Sequence, residues 1–181
     1  MTDPGDIDKL VKRARKKPIM AADAGVAVAY DASVVERLLP HRPPFRFVDS
    51  IERVDPAGGF IAGSLTLRGD DPVFAGHFPG YPVWPGVLQI EAIGQLGICL
   101  AWFVRNARTD VTDDAAPLDV RALKVLQAHF VGEIRPGDTV TLLAQALASD
   151  GFGGISLGQC LVGDRVCSVA VGEVYYPDET A

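Results

Sequence analysis

The hydrophobic pattern changes period along the chain. From Gly86 onward, Val87, Leu88, Ile90, Ile93, Leu96, Ile98, Leu100 and Phe103 recur at helical spacing and leave almost no polar face. A helix apolar nearly all round is a buried helix, so the spacing predicts one that ends near Arg105. Upstream, residues 31–39 predict a short helix with Val34, Val35, Leu38 and Leu39 on its inner face. Ser33 followed by Glu36 has the spacing of a capping box, and Pro40 stops the helix. Residues 45–54 and 60–67 are rich in apolar and β-branched residues and read as strands about an Ala57-Gly58-Gly59 turn. A polar stretch at 106–119 reads as a loop. Four more strands are predicted at 123–134, 139–147, 155–162 and 165–175, with turn residues between them at 136–138, 149–151 and 163–164. Strands joined by short turns pair antiparallel. The predicted class is therefore α+β, a curled antiparallel sheet around one long buried helix. One sheet covers only part of such a helix, which predicts a homodimer or a higher assembly.

Residues 1–29 read as an N-terminal extension before a single domain at 30–181. Ile7, Leu10, Val11 and Ala14 fall at helical spacing with basic residues between Lys9 and Lys17. That pattern is open between a short amphipathic helix and a flexible solvated tail. The basic stretch runs into Pro18 and an interrupted apolar segment with Asp23, which is not a signal-peptide core. The predicted central helix is long enough to cross a membrane, but Gln89, Glu91 and Gln95 interrupt it, and no span is expected.

Composition narrows the functional classes. With 181 residues and 48% hydrophobic content, the chain can bury a sizeable core. A net charge of −6 argues against nucleic acid as the main partner. Cys99, Cys160 and Cys167 lie in apolar runs without metal-ligand spacing, which suits small core residues in a reducing cytoplasm. No metal site and no cofactor are expected.

Candidate chemistry concentrates in residues 75–95, AGHFPGYPVWPGVLQIEAIGQ. Pro79, Pro82 and Pro85 stiffen a loop that carries His77. The helix that follows carries Glu91, a carboxylate where the pattern predicts burial. A stiff loop delivering a histidine beside a buried acid suits an acid–base pair. Gln95 lies one turn beyond Glu91 on the same face and is placed to orient it. Gly94 and Gly97 make room beside the helix, for close sheet packing or for a tunnel. His41 and His129 read as structural or packing residues.

GHFPG at 76–80, PGVL at 85–88, IEA at 90–92 and LLPHRPPFRFVD at 38–49 together resemble the bacterial 3-hydroxyacyl-acyl carrier protein dehydratases, over roughly residues 31–176. The resemblance implies the hot-dog fold and dehydration of (3R)-3-hydroxyacyl thioesters, on acyl carrier protein or coenzyme A, to trans-2-enoyl products. Such a reaction needs a base for the C2 proton, an acid for the departing hydroxyl and a donor for the thioester oxygen. It assigns His77 as base, Glu91 as acid with a pKa raised by burial, and the Gly86 N–H as oxygen donor, the histidine and glutamate meeting across the dimer interface. A dehydratase that also isomerises the double bond, a thioesterase and a non-catalytic acyl-binding subunit are the alternatives.

This chain departs from the family pattern in three places. Tyr81 replaces a basic or amide residue, and Trp84 replaces methionine; with Phe78 they are the candidate substrate-shaping residues. In HFVGEI at 129–134, Val131, Gly132 and Glu133 stand where the family carries cations that meet the acidic carrier. Docking is then assigned to Arg42, Arg46, Arg121, Lys124 or Arg135.

Overall fold

The computed structural model describes residues 4–177. In chain order the elements are α1 (Pro4–Ala14), β1 (Val26–Tyr30), α2 (Ala32–Leu38), β2 (Ser50–Asp55), β3 (Phe60–Thr66), α3 (Val73–Gly76), α4 (Gly86–Asn106), β4 (Arg121–Phe130), β5 (Thr139–Ser149), β6 (Gly153–Val162) and β7 (Arg165–Tyr175). The seven strands form one sheet in the order β1-β2-β3-β5-β6-β7-β4, and every pairing is antiparallel. The strand that follows α4 in sequence therefore becomes the far edge, bonded only to β7.

The sheet separates two apolar layers through the two-residue period of its strands. On β5, Val140, Leu142 and Ala144 join the main core around α4, while Leu143 joins a second cluster. On β7, Cys167 and Ala170 belong to the first, and Val166, Val169 and Val171 to the second. The second cluster is completed by Ile7, Val11 and Ala14 of α1. Between amphipathic helix and flexible tail, the extension is thus a helix docked on the outer face of the sheet. The sheet itself begins inside the segment read as extension, at Val26.

α4 sits tightly against the inner face. Gly158 of β6 permits this, because a Cβ there would run into the side chain of Ile93. By length and composition α4 could cross a membrane, but half of its most apolar window is buried in this fold.

Three local expectations shift for physical reasons. The cap of α2 is Asp31 rather than Ser33: its carboxylate accepts from the N–H groups of Ser33 and Val34 at 2.9 and 3.3 Å. Those bonds, the Ser33 hydroxyl foremost, hold the Asp31 carboxyl below its ordinary pKa. Strand β2 starts at Ser50 rather than residue 45, because the Gln95 side chain takes the Phe47 N–H and the Phe45 carbonyl. β4 ends at Phe130 rather than residue 134, where the N–H groups of both Val131 and Gly132 turn onto the Cys167 carbonyl.

Candidate active site

The histidine loop is fixed by its own backbone. The His77 N–H bonds the Val73 carbonyl at 3.1 Å, closing α3. The Val83 N–H bonds the His77 carbonyl at 2.9 Å, and Phe78 and Tyr81 exchange a pair of bonds at 3.2 and 3.0 Å. Trp84 anchors the far end: it is buried, its N–H meets the Ile134 carbonyl at 2.7 Å, and its ring packs edge-on against Phe47 at 6.0 Å.

His77 Nδ1 lies 2.9 Å from the Val83 carbonyl oxygen. A carbonyl can only accept, so Nδ1 carries a proton, and the tautomer this selects has its lone pair on Nε2. The imidazole stacks on Phe78 with centroids 4.1 Å apart. The loop thus presents a half-buried base of defined tautomer.

α4 begins at Gly86 without a side-chain cap. The Pro85 carbonyl accepts from the N–H groups of Leu88 and Gln89, while those of Gly86 and Val87 find no acceptor among the described residues. These are the free donors at the positive end of a helix. The Phe130 ring lies against Gly86, and a Cβ there would stand 2.7 Å from it.

Glu91 faces a cavity of about 170 Å³ that runs beside α4, past Gly94 and Gly97, to Val174 and Tyr176. Gln95 donates to Glu91 Oε1 at 3.0 Å, and His41 Nε2 stands 3.5 Å from the same oxygen. Gln95 is fully buried and braced by Phe45 and Phe47, so its direction is fixed. The deep burial expected for Glu91 does not occur in the single chain: its side chain is 34% exposed, and neighbouring Val87 is 70% exposed. The sheet leaves this side of α4 uncovered. Within one chain, no hydrogen bond or ion pair joins His77 to Glu91 among the described residues.

The other candidates are placed as follows. Phe78 and Tyr81 are exposed beside the loop, and the cavity wall includes neither of them nor Trp84. Lys124 does line the cavity. Arg42 donates to the carbonyls of Leu39 and His41, Arg121 pairs with Asp119, and Arg135 bonds both Glu133 and the Tyr81 hydroxyl at 2.9 Å. Tyr81 and Glu133, two of the departures noted in the sequence, are direct partners at 2.9 Å. His41 is the residue sequence reasoning missed at this site. Its position beside Glu91 depends on the 40–49 segment that Gln95 folds, and its only local signal was the LPHR context.

The three cysteines have no ligand or nucleophile geometry. All are buried; desolvation pushes the Cys160 thiol up to about 12 and raises Cys99 and Cys167 as well. No cluster that could hold a metal occurs among the described residues.

An antiparallel sheet curled around one apolar helix, with a histidine loop at the N-terminus of that helix and an acid one turn inside it, defines a hot-dog protein of the dehydratase type. The chain belongs to the FabA-like domain family, whose pattern matches residues 39–168. It is 36% identical over 143 residues to a 3-hydroxyacyl-[acyl-carrier-protein] dehydratase of Chlamydia trachomatis serovar L2, covering 78% of this chain and 88% of that one. A dehydratase of the same description from Desulforamulus reducens is 34% identical over 140 residues, covering 77% and 92%. Among solved structures, the dehydratase heterocomplex ApeI:P of Xenorhabdus doucetiae superposes with a TM-score of 0.61 at 20% identity, over 81% of this chain and 92% of that one. A hypothetical thioesterase of Streptococcus pneumoniae has a TM-score of 0.52 at 10% identity, covering 69% and 82%. At these identities the two structures speak for the fold alone.

Proposed function

We propose that this chain dehydrates 3-hydroxyacyl thioesters carried on acyl carrier protein, with His77 and Glu91 brought together from two copies. The observation that carries the reading is a pair of opposed preparations. His77 is held through Nδ1 by the Val83 carbonyl, which leaves Nε2 free, and Glu91 is held by Gln95 at the wall of an apolar cavity. The family and the activities of the relatives named above support it.

In this mechanism His77 Nε2 takes the C2 proton of the substrate. Charge moves onto the thioester oxygen, where the Gly86 N–H stabilises it. Glu91 in its acid form protonates the C3 hydroxyl, the C–O bond breaks, and water leaves with the trans-2-enoyl thioester. The acyl chain lies in the cavity beside Gly94 and Gly97.

The second copy would join through β4. This strand is an unpaired edge, and Leu123, Val125, Leu126 and Phe130 are exposed on it. Such an edge is a template for pairing, and pairing two copies of β4 covers the open side of α4. The expected setting is the cytoplasm, where the three thiols stay reduced.

The test is incubation with a 3-hydroxyacyl group on carrier protein, read by mass. A product lighter by one water supports the reading. Binding without turnover would replace it with an acyl-binding subunit, and release of free thiol would replace it with a thioesterase.

A further inference from the structure

A carrier-bound substrate must bring a protein to the site, and the arginines that the sequence offers for docking are engaged within the chain. Arg135 is bonded to Glu133 and Tyr81, and the Arg165 guanidinium is held by the Glu133 carbonyl at 2.9 Å. Arg42 and Arg46 both reach Glu36, and Arg121 reaches Asp119. Lys124 lines the cavity.

A different group of cations is unspent. Lys9, Lys12, Arg13, Arg15, Lys16 and Lys17 hold six of the chain's 17 basic residues, and all six are exposed. Lys9 pairs with Asp6 at 3.2 Å. The side chains of the other five have no carboxylate partner among the described residues. On a chain of net charge −6, this is a concentrated positive patch.

The patch is held in place. Gln159, fully buried in β6, accepts from the Ile19 N–H at 2.8 Å and donates to the carbonyls of Ala14 and Lys17. A buried side-chain amide is thereby devoted to the backbone that carries the basic residues. At its other end α1 is tied to β4, where Gln127 donates to Asp8 at 2.6 Å. The sheet register then sets its position. Gln159 lies opposite Val169 and Val169 opposite His129, one residue before Phe130, whose ring rests on Gly86. The basic end of α1 is therefore at the end of the sheet that bears the histidine loop.

We infer that α1 and the residues just after it form the docking surface for an acidic face of the carrier protein, in place of those arginines. This rests on the carrier-bound substrate reading above. The test compares the full chain with its K12Q/R13Q/K16Q and K12E/R13E/K16E variants, titrated with 3-hydroxyacyl carrier protein. Turnover is followed on that substrate and on the same acyl group attached to coenzyme A. Carrier affinity should fall about tenfold on charge reversal, less on neutralisation, with a shallower salt dependence. KM on the carrier substrate should rise, while kcat and all coenzyme A kinetics stay unchanged, which also shows that the variants fold. Unchanged carrier affinity in both variants overturns the inference, as does tighter binding of the parent to anionic lipid vesicles than to the carrier. A parent that turns over neither thioester defeats the dehydratase reading, while the carrier titration still decides the docking surface.

Discussion

Two fully buried glutamines stand on opposite sides of the sheet, Gln95 on α4 and Gln159 on β6. Both accept a backbone N–H and both donate to backbone carbonyls. They differ in the last N–H. Gln159 closes entirely on the N-terminal segment, and the apolar cluster around it is sealed by α1. Gln95 turns one N–H outward to a carboxylate that faces a cavity. Around that carboxylate the accounting stays open: His41 Nδ1 is buried without a partner, and the Gly86 and Val87 N–H groups have no acceptor among the described residues. Leaving a buried polar atom such as His41 Nδ1 unpaired costs about 1–3 kcal/mol, which suits a place where a second molecule binds. The outer side of the sheet is finished by its own chain, and the inner side is left open, as the proposed substrate and second copy require.

The largest effects should fall on the inner side. His77→Ala or Glu91→Gln should lower kcat by about 10²–10⁴-fold, the usual contribution of a positioned acid or base, with an unchanged circular dichroism spectrum and sedimentation. Retained activity in either variant would erase the functional contrast between the two faces. Mixing the two inactive variants sharpens it. If each site takes its histidine from one copy and its glutamate from the other, random exchange makes half of the dimers hybrids, each with one intact site. About a quarter of parental activity should then return. No recovery after demonstrated subunit exchange would place both groups of each site in the same copy.

The glutamines themselves provide the intermediate test. Gln159→Leu and Gln95→Leu should each lower stability by about 1–3 kcal/mol in denaturant unfolding, since each strands buried backbone groups. Only Gln95→Leu should also lower kcat, by about tenfold, because it frees the Glu91 carboxylate from its fixed direction. Equal kinetics in the two variants would make Gln95 as purely structural as Gln159.

How much of this was legible follows from how local each signal is. The histidine loop and α4 were readable because Pro79, Pro82, Pro85 and the apolar run after Gly86 act within a few residues. The spacing that set Gln95 one turn beyond Glu91 is equally local, and the two are hydrogen-bonded. Glu91 is less buried in one chain than the pattern implies, because periodicity states that α4 is apolar all round, not that one curled sheet leaves a side bare. β1 escaped because Val26–Tyr30 is short and pairs with β2 across the α2 region, which no local pattern encodes. His41 escaped for the same reason: its neighbour is 50 residues away, brought close by a loop whose backbone bonds end on a side chain of α4. The helix α1 was half legible. Its apolar spacing was visible, but the glutamine that holds it lies 145 residues from Ala14.

The smallest effect expected separates the two ends of α1. At its C-terminal side the Gln159 amide is buried and bonds three backbone groups, so breaking it strands donors and acceptors away from water. At its N-terminal side the Gln127–Asp8 bond is solvent-exposed, and both partners can turn to water when it breaks. Gln127→Ala should therefore change unfolding free energy by no more than about 0.5 kcal/mol, the range of ordinary surface substitutions. Faster amide hydrogen exchange should be confined to the first turn of α1. The buried residues Val11 and Ala14 remain docked in this variant, and carrier affinity stays at the parental value. Exchange that accelerated along the whole helix would mean that α1 is held from β4 rather than from β6, and the contrast between a sealed outer face and an open inner one would lose its structural anchor.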